Sequence, residues 1–170
     1  IFIYGGGILN RVDFTPGIIG ILGRNASGKS SLLNTIFYSL FGNVFKIKNF
    51  SNRNVINRHS KTMSLKLAIS MGNFQFIIEK EGKCKTRKGG AIGMEETVVF
   101  KKIDEDGIIT NLSGSNKVDT VSIIYSTLGL TTKENFMLTN VMSYTNYISL
   151  LSLSSGDISK ILGELFDLQK

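Results

Sequence analysis

The sequence predicts an α/β fold, and three patterns along the chain indicate it. A short apolar run at 18–22 leads into a glycine-rich loop, which leads into a stretch with helical periodicity. Alternating apolar and polar residues at 65–69 and an apolar stretch at 74–80 flank a turn with glycine, as in a β-hairpin. Further stretches with helical spacing follow after residue 115. The remaining segments are arranged around the strand, the glycine-rich loop and the first helix.

The glycine-rich loop has the spacing of a phosphate-binding loop (P-loop). The pattern G-x-x-x-x-G-K-[ST] covers Gly23-Arg24-Asn25-Ala26-Ser27-Gly28-Lys29-Ser30, and Ser31 follows it. In such a loop, backbone N–H groups point into one concavity and hold phosphate oxygens. Lys29 would reach the β- and γ-phosphates, and the Ser30 hydroxyl would hold Mg²⁺. We therefore predict that residues 23–31 bind a nucleotide.

The residues on either side of the loop support this interpretation. The run before it, Ile18-Ile19-Gly20-Ile21-Leu22, predicts a short buried strand. Gly42 stands where a glycine that ends a helix belongs. Between the loop and Gly42, apolar residues recur on one helical face: Leu32, Leu33, Ile36, Phe37, Leu40 and Phe41.

Composition limits the class of protein. The chain has 170 residues with 42% hydrophobic content, enough for one core, so we expect residues 1–170 to form a single domain. The net charge of +7 favours a polyanionic partner. Cys84 is the single cysteine of the sequence, which excludes a disulfide framework within it. No apolar run approaches the roughly 18 residues that a membrane span needs, and no signal peptide is visible. We expect a cytoplasmic protein, or one of the nucleus or a viral replication compartment.

Several later segments have recognisable signals. Residues 42–62 are polar and basic and predict a surface loop with a short helix at most. Strands are predicted at 97–103 and 108–112, and Ser115 is placed to begin a helix whose apolar stripe starts at Val118. Ser154 or Ser155 would begin the last helix.

A basic cluster follows the hairpin beside two glycines. It predicts a flexible loop that contacts DNA phosphates without reading base sequence, although each lysine could equally be a solvated surface residue. Its predicted DNA-binding members are Lys83, Lys85, Arg87 and Lys88.

Two short patterns resemble those of GTPases, but their spacing argues against that function. The segment 104–107 matches D-x-x-G and 116–119 matches N-K-x-D. In an α/β NTPase, such motifs end different parallel strands, and a crossover between them takes at least about 10–12 residues plus a strand. Only 108–115 separates them here, so we interpret both as local structure.

A working P-loop NTPase also needs a carboxylate at a strand end, the Walker B residue. After the P-loop, the nearest candidate is Glu79 in Ile77-Ile78-Glu79, which lies on the predicted hairpin. We therefore predict that this stretch of chain binds nucleotide, contains no catalytic residue that can be named, and does not hydrolyse ATP alone.

The order of these features resembles the N-terminal lobe of SMC-like ABC ATPases, most closely the Rad50/SbcC family of DNA double-strand-break repair, including its phage recombination-endonuclease subunit. The resemblance is carried by Gly17 through Leu33 with Asn25 inside the P-loop, by Phe41-Gly42, and by the final segment 158–166. It implies a P-loop NTPase fold, the N-terminal lobe of an ABC-ATPase head, with an antiparallel β-subdomain packed on the P-loop helix.

The resemblance also implies cofactors, partners and further site residues. ATP and Mg²⁺ would bind, Asn25 would lie near the γ-phosphate, and a Q-loop would occupy the region of Tyr144 and Asn146. The family expects a glutamine there, and Asn146 could replace it. A C-terminal lobe of the same protein would supply the signature motif and Walker B, and a coiled coil would follow residue 170. A second copy of the protein, a nuclease subunit and DNA are the implied partners.

Three other functions remain open from the sequence. One is an SMC-like ATPase that handles chromosomes without a nuclease. Another is a self-contained P-loop kinase or GTPase, and the last is a binding module without catalysis. The first residue is Ile1, so we expect the chain to be a piece of something longer.

Overall fold

The computed structural model describes residues 10–44, 52–57, 59–86 and 92–130, together with 133, 136, 154–156, 158–159 and 163. The chain divides into two compact units, Ile1–Ile124 and Tyr125–Lys170. Helix α1 spans Lys29–Phe41, and a short 3₁₀ helix spans Asn52–Val55. The remaining elements are β1 (Thr62–Met71), β2 (Phe74–Thr86), β3 (Ile92–Ile103), β4 (Ile109–Asn111) and helix α2 (Lys117–Leu128).

The four strands form one antiparallel sheet in the order β1-β2-β3-β4. The predicted hairpin is confirmed and is longer than its alternating core, since β1 and β2 pair from Thr62 opposite Lys83 to Met71 opposite Phe74. Gly72 takes a φ of 59° in the turn between them, a left-handed conformation that glycine adopts at little cost. The second predicted strand pair is also confirmed, as β3 and β4.

The first unit has its core between the sheet and α1. Phe76 and Phe100 stack with ring centroids 5.8 Å apart, and both are buried. Helix α1 contributes Phe37, Tyr38 and Leu40, which are buried. Phe37 and Leu40 belong to the predicted apolar face, whereas Tyr38 was not predicted there and Leu33, a predicted member, is 54% exposed. The predicted α/β class, with an antiparallel sheet packed on the P-loop helix, is confirmed.

The segment before the P-loop differs from its prediction as a buried strand. Residues 18–22 join no ladder with any described strand, and their side chains are exposed, Leu22 to 94%. An apolar run becomes a buried strand only when a neighbouring strand pairs with it, and among the described residues none does. The predicted strand at 1–4 lies outside the described residues.

The segment 42–62 is more than the surface loop that its polarity predicts. Val44 and Val55 are buried with Tyr38 in a small cluster, against which Met63 and Leu65 pack. Val44 and Val55 are far apart within a polar and basic stretch, so no local periodicity indicates this contact.

Helix α2 begins one residue later than its sequence predicts. The backbone N–H of Asp119 donates to Asn116 Oδ1 at 3.0 Å, so Asn116 and not Ser115 is the N-cap. Ser115 instead donates to the Asp119 carboxylate. Val118, the predicted first member of the apolar stripe, is exposed, while Thr120 and Ile124 are buried.

The second unit is described in part. It contains the last turn of α2, which ends before Gly129 with a φ of 62° as predicted for a glycine at that position. Farther along, the N–H of Ile158 donates to Ser154 O at 3.0 Å, a bond of the first helical turn. Ser154 therefore occupies the position before a helix, one of the two predicted starts.

Candidate nucleotide-binding site

The P-loop residues form a compact turn that leads directly into α1. The N–H of Ser27 donates to Arg24 O at 3.2 Å, and the N–H of Leu32 donates to Gly28 O at 3.0 Å. Ala26 and Gly28 both have a left-handed backbone, with φ of 64° and 97°. Left-handed residues within a turn bring successive N–H groups to one side, which creates a concavity that suits an anion. Ala26 is in a conformation unfavourable for a residue with a Cβ, and such strain clusters at ligand-binding sites.

Gly23 closes the base of the loop. A Cβ built on Gly23 would lie 2.7 Å from Ser27 Oγ, closer than real Cβ contacts. The absent side chain thus leaves room for the Ser27 hydroxyl across the loop.

The Lys29 side chain spans the loop. Its ammonium donates to Gly23 O at 2.7 Å and to Arg24 O at 2.8 Å. These bonds hold the positive charge of Lys29 against the loop backbone at the start of α1. Lys29 is thus placed by the loop's own carbonyl oxygens.

The start of α1 carries no competing charge. Over the described loop and helix, no side chain caps the N-terminus, and the first turn contains no acidic residue. The helix dipole places partial positive charge there, so an anion is favoured. Ser30 is exposed next to this end, whereas Ser31 is buried.

The far end of α1 is closed by Gly42. Gly42 has a φ of 63°, and its N–H donates to Tyr38 O at 2.9 Å. The predicted C-cap is therefore confirmed. The helix has a fixed length of 13 residues between the P-loop and this cap.

The predicted DNA-binding residues are only partly described. Lys83 and Lys85 are exposed near the end of β2 on the same face of the sheet, and Lys85 forms an ion pair with Glu95 at 3.2 Å. Arg87 and Lys88 lie outside the described residues, as do the predicted Q-loop residues Tyr144 and Asn146.

The predicted Mg²⁺ ligand is the Ser30 hydroxyl, at the loop's edge. Among the described residues, no group of three or more His, Cys, Asp or Glu side chains is placed to hold a metal ion. Within that same part of the chain, none of the helices is long and apolar enough to cross a membrane.

The two GTPase-like patterns have structural roles. In the first, Asp104 accepts the N–H of Gly107 on its carbonyl at 3.1 Å and the N–H of Ile108 on its side chain at 2.8 Å, which forms the turn between β3 and β4. In the second, Asn116 caps α2 and its side-chain amide donates to Asp119 at 2.8 Å. Among the described residues, neither Asp104 nor Asp119 forms a hydrogen bond with the P-loop.

Comparison with known proteins places this chain in a family. A family model described as an AAA domain matches residues 4–168. The chain is 33% identical over 86 residues to a Methanocaldococcus jannaschii protein named DNA double-strand break repair Rad50 ATPase, covering 48% of this chain and 8% of that protein. It is 24% identical over 148 residues to the SbcC subunit of the SbcCD nuclease from Deinococcus radiodurans, covering 87% of this chain and 15% of that protein.

A solved structure described as "Structural biochemistry of ATP-driven dimerization and DNA stimulated activation of SMC ATPases" has a TM-score of 0.44 and 17% sequence identity. The alignment covers 91% of this chain and 87% of that chain. By contrast, the chain spans only 8% and 15% of the length of the two curated relatives.

A P-loop that leads into a helix packed on an antiparallel sheet defines the class of protein, which is that of the P-loop NTPases. The chain belongs to the AAA domain family, since the family model covers nearly all of it. Its similarity to the Rad50 and SbcC proteins confirms the resemblance to the Rad50/SbcC ATPases that the sequence predicts.

Proposed function

We propose that this chain binds ATP through residues 23–31, as the N-terminal part of an ATPase that acts in DNA double-strand-break repair. The observation that supports the proposal is the turn at the start of α1, in which Ala26 and Gly28 are left-handed and Lys29 Nζ lies 2.7 Å from Gly23 O. Names of the relatives support the choice of ATP and of DNA repair, since one is a Rad50 ATPase and the other belongs to a nuclease.

The residues of the loop have distinct roles in this proposal. Backbone N–H groups of 26–31 would surround the phosphates, and Lys29 would leave the loop carbonyls to reach them. Ser30 would hold Mg²⁺, which when bound neutralises part of the phosphate charge. The exposed side chain of Asn25 would lie near the γ-phosphate.

Hydrolysis would require a C-terminal lobe of the same protein. The exposed apolar segment 18–22 supports this proposal, because its backbone pairs with no strand among the described residues and its side chains suit a neighbouring strand. Amide hydrogen exchange in the full-length protein tests it. We expect slow exchange at 18–22, as in a paired strand, and fast exchange there would contradict the proposal.

The complete ATPase would form a head dimer and act with a nuclease subunit on DNA. ATP would draw two heads together, which sedimentation of the full-length protein with and without ATP can detect. A sedimentation coefficient independent of ATP would contradict the head dimer. The net charge of +7 and the exposed Lys83 support DNA as a partner.

Calorimetric titration of ATP and Mg²⁺ into the full-length protein tests the central proposal. We expect Lys29→Ala to weaken binding at least about tenfold, a loss of about 1.4 kcal/mol. Lys61→Ala is the matched control, because it removes an exposed lysine outside the P-loop. Equal affinity in wild type and Lys29→Ala would contradict the assignment of Lys29, and absence of binding in wild type would contradict the proposal itself.

A further inference from the structure

A lysine is buried in the core of the first unit. Lys80 lies on β2 with an exposed fraction of 0%, on the same face as Phe76 and Ile78. Its ammonium donates to Tyr38 O at 2.8 Å and lies 5.0 Å from the centroid of the Tyr38 ring. A fully buried lysine is rare, and here its bonds are directed at the P-loop helix.

The bonded carbonyl is at the C-terminal end of α1. That end carries partial negative charge, and the last turn of α1 contains no basic residue of its own. Lys80 supplies the missing positive charge from the sheet. The N–H of Gly42 also donates to Tyr38 O at 2.9 Å, so two donors from different elements share this carbonyl.

Buried polar contacts extend from this lysine to two other elements. The Tyr38 hydroxyl donates to Glu96 Oε1 on β3 at 2.6 Å. The Glu96 side chain is 2% exposed and pairs with Lys117 at the start of α2, which is 42% exposed. The groups that face Lys80 are therefore Tyr38 from α1, Glu96 from β3 and Lys117 from α2.

We propose that Lys80 is a positioning residue for the P-loop: by holding the C-terminal carbonyl of α1, it fixes the helix along its axis against the sheet. The opposite end of the same helix presents the phosphate concavity, so a shift of α1 would move the N–H groups and Lys29 together. This inference rests on the proposed ATP binding, and it adds a residue outside the P-loop that determines ATP affinity.

The energetics favour a role in position over one in stability. Burial lowers the pKa of Lys80 to about 8, an effect that Glu96 opposes and that the nearby Lys117 reinforces. A charged amine is therefore held where an apolar side chain of similar length would fit without that penalty. Residues that break a local rule of stability are expected at functional positions.

The variant Lys80→Met tests the proposal in the full-length protein, because methionine keeps an unbranched chain and removes the charge. At pH 7 we expect a melting temperature equal to or above wild type, together with at least a tenfold loss of ATP affinity. If Lys80 only supports the fold, Lys80→Met would lower both the melting temperature and the ATP affinity, or would leave the ATP affinity unchanged. Either result would overturn the proposal. Lys66→Met is the matched control on the outer face of β1, and it should leave ATP affinity unchanged.

The pH dependence of wild type gives an independent readout if Lys80→Met does not fold. ATP affinity of the wild type should fall severalfold from about pH 7.5 to about pH 9.5, because a neutral amine bonds the Tyr38 carbonyl more weakly than the ammonium does. A constant wild-type affinity would overturn the proposal. Failure of the two proposals is distinguishable: if wild type binds ATP, Lys29→Ala does not, and Lys80→Met matches wild type, only the positioning role is wrong.

Discussion

The Tyr38 hydroxyl donates a hydrogen bond of 2.6 Å to Glu96 and thereby joins the P-loop helix to strand β3. Both side chains are almost completely removed from solvent. Because Lys80 bonds the carbonyl of the same tyrosine, one residue of α1 is held by two strands at once. The P-loop helix is thus anchored at its C-terminal half, and the P-loop extends from that anchor.

This arrangement predicts an unusual dependence of stability on pH. The pKa of Lys80 is about 8 in the folded protein against an ordinary value of 10.5, so between these values the unfolded chain binds more protons and stability rises with pH. The cost of the buried charge is fully present below pH 8. From pH 7 to 9.5, we expect the free energy of unfolding to increase by about 2 kcal/mol.

The increase in stability with pH ends where the ionisation of Tyr38 in the unfolded chain begins to oppose it. Burial, and then the hydrogen bond and charge of Glu96, raise the pKa of Tyr38 well above 10.0. The unfolded chain therefore loses this proton first, and the contribution of Tyr38 to stability decreases as the pH rises through 10.0. Urea unfolding from about pH 6.5 to about pH 11.5 should show a maximum at about pH 10.3, where the opposing effects of Lys80 and Tyr38 cancel. Lys80→Met should lack most of the rise, and a rise of equal size in that variant would show that another group causes it.

Sequence patterns predict the elements whose signals are local. Helix α1 follows from its apolar spacing and from Gly42, and β1 with β2 follows from alternation around Gly72. These signals act over a few residues, and side-chain period and glycine conformation determine them directly. The one-residue error at α2 arises because Ser115 and Asn116 are both good N-cap residues, and only the folded structure shows which side chain reaches the N–H of Asp119.

The role of Lys80 was not predicted, although part of its signal is in the sequence. Lys80 alternates along β2 with Phe76 and Ile78, so all three side chains lie on the buried face of the strand. Its partner on α1 is 42 positions away, and no local pattern identifies such a contact. The exposure of 18–22 has the same origin, since burial of a strand depends on neighbours distant in the sequence.

The close approach of Gly23 to Ser27 predicts a specific loss of ATP binding. Gly23→Ala would place a methyl group 2.7 Å from Ser27 Oγ, so the loop must open or the hydroxyl must move. We expect ATP affinity to fall about tenfold, or about 1.4 kcal/mol, with little change in melting temperature because the loop is exposed.

A double-mutant cycle separates the clash from other effects of the methyl group. Ser27→Ala removes the hydroxyl oxygen that the new methyl would meet, so Gly23→Ala should cost less affinity in that background. Calorimetric titration of the four proteins with ATP and Mg²⁺ measures this coupling. Strictly additive losses would mean that the Gly23–Ser27 contact does not determine the shape of the loop.

Lys83 and Lys85 should differ in their contribution to DNA binding. Both are exposed on one face of β2, but Lys85 is paired with Glu95 at 3.2 Å, which already neutralises part of its charge. Each lysine that neutralises a phosphate adds about 0.9 to the magnitude of the salt slope for duplex DNA. We expect Lys83→Ala to reduce that slope by nearly this amount and Lys85→Ala to reduce it less.

Fluorescence anisotropy with a labelled duplex gives these slopes for the full-length protein when the salt concentration is varied from about 50 to about 200 mM. Over that range, the affinity of proteins with about 6–10 phosphate contacts changes by about 10³–10⁵. Glu95→Gln provides the matched control, since it releases Lys85 from its ion pair and should enlarge the effect of Lys85→Ala on the slope. Affinity should change equally on duplexes of unrelated sequence, because phosphate contacts do not read bases. If neither Lys83→Ala nor Lys85→Ala alters the slope, this face of β2 does not contact DNA, and the positive charge of the chain must act elsewhere.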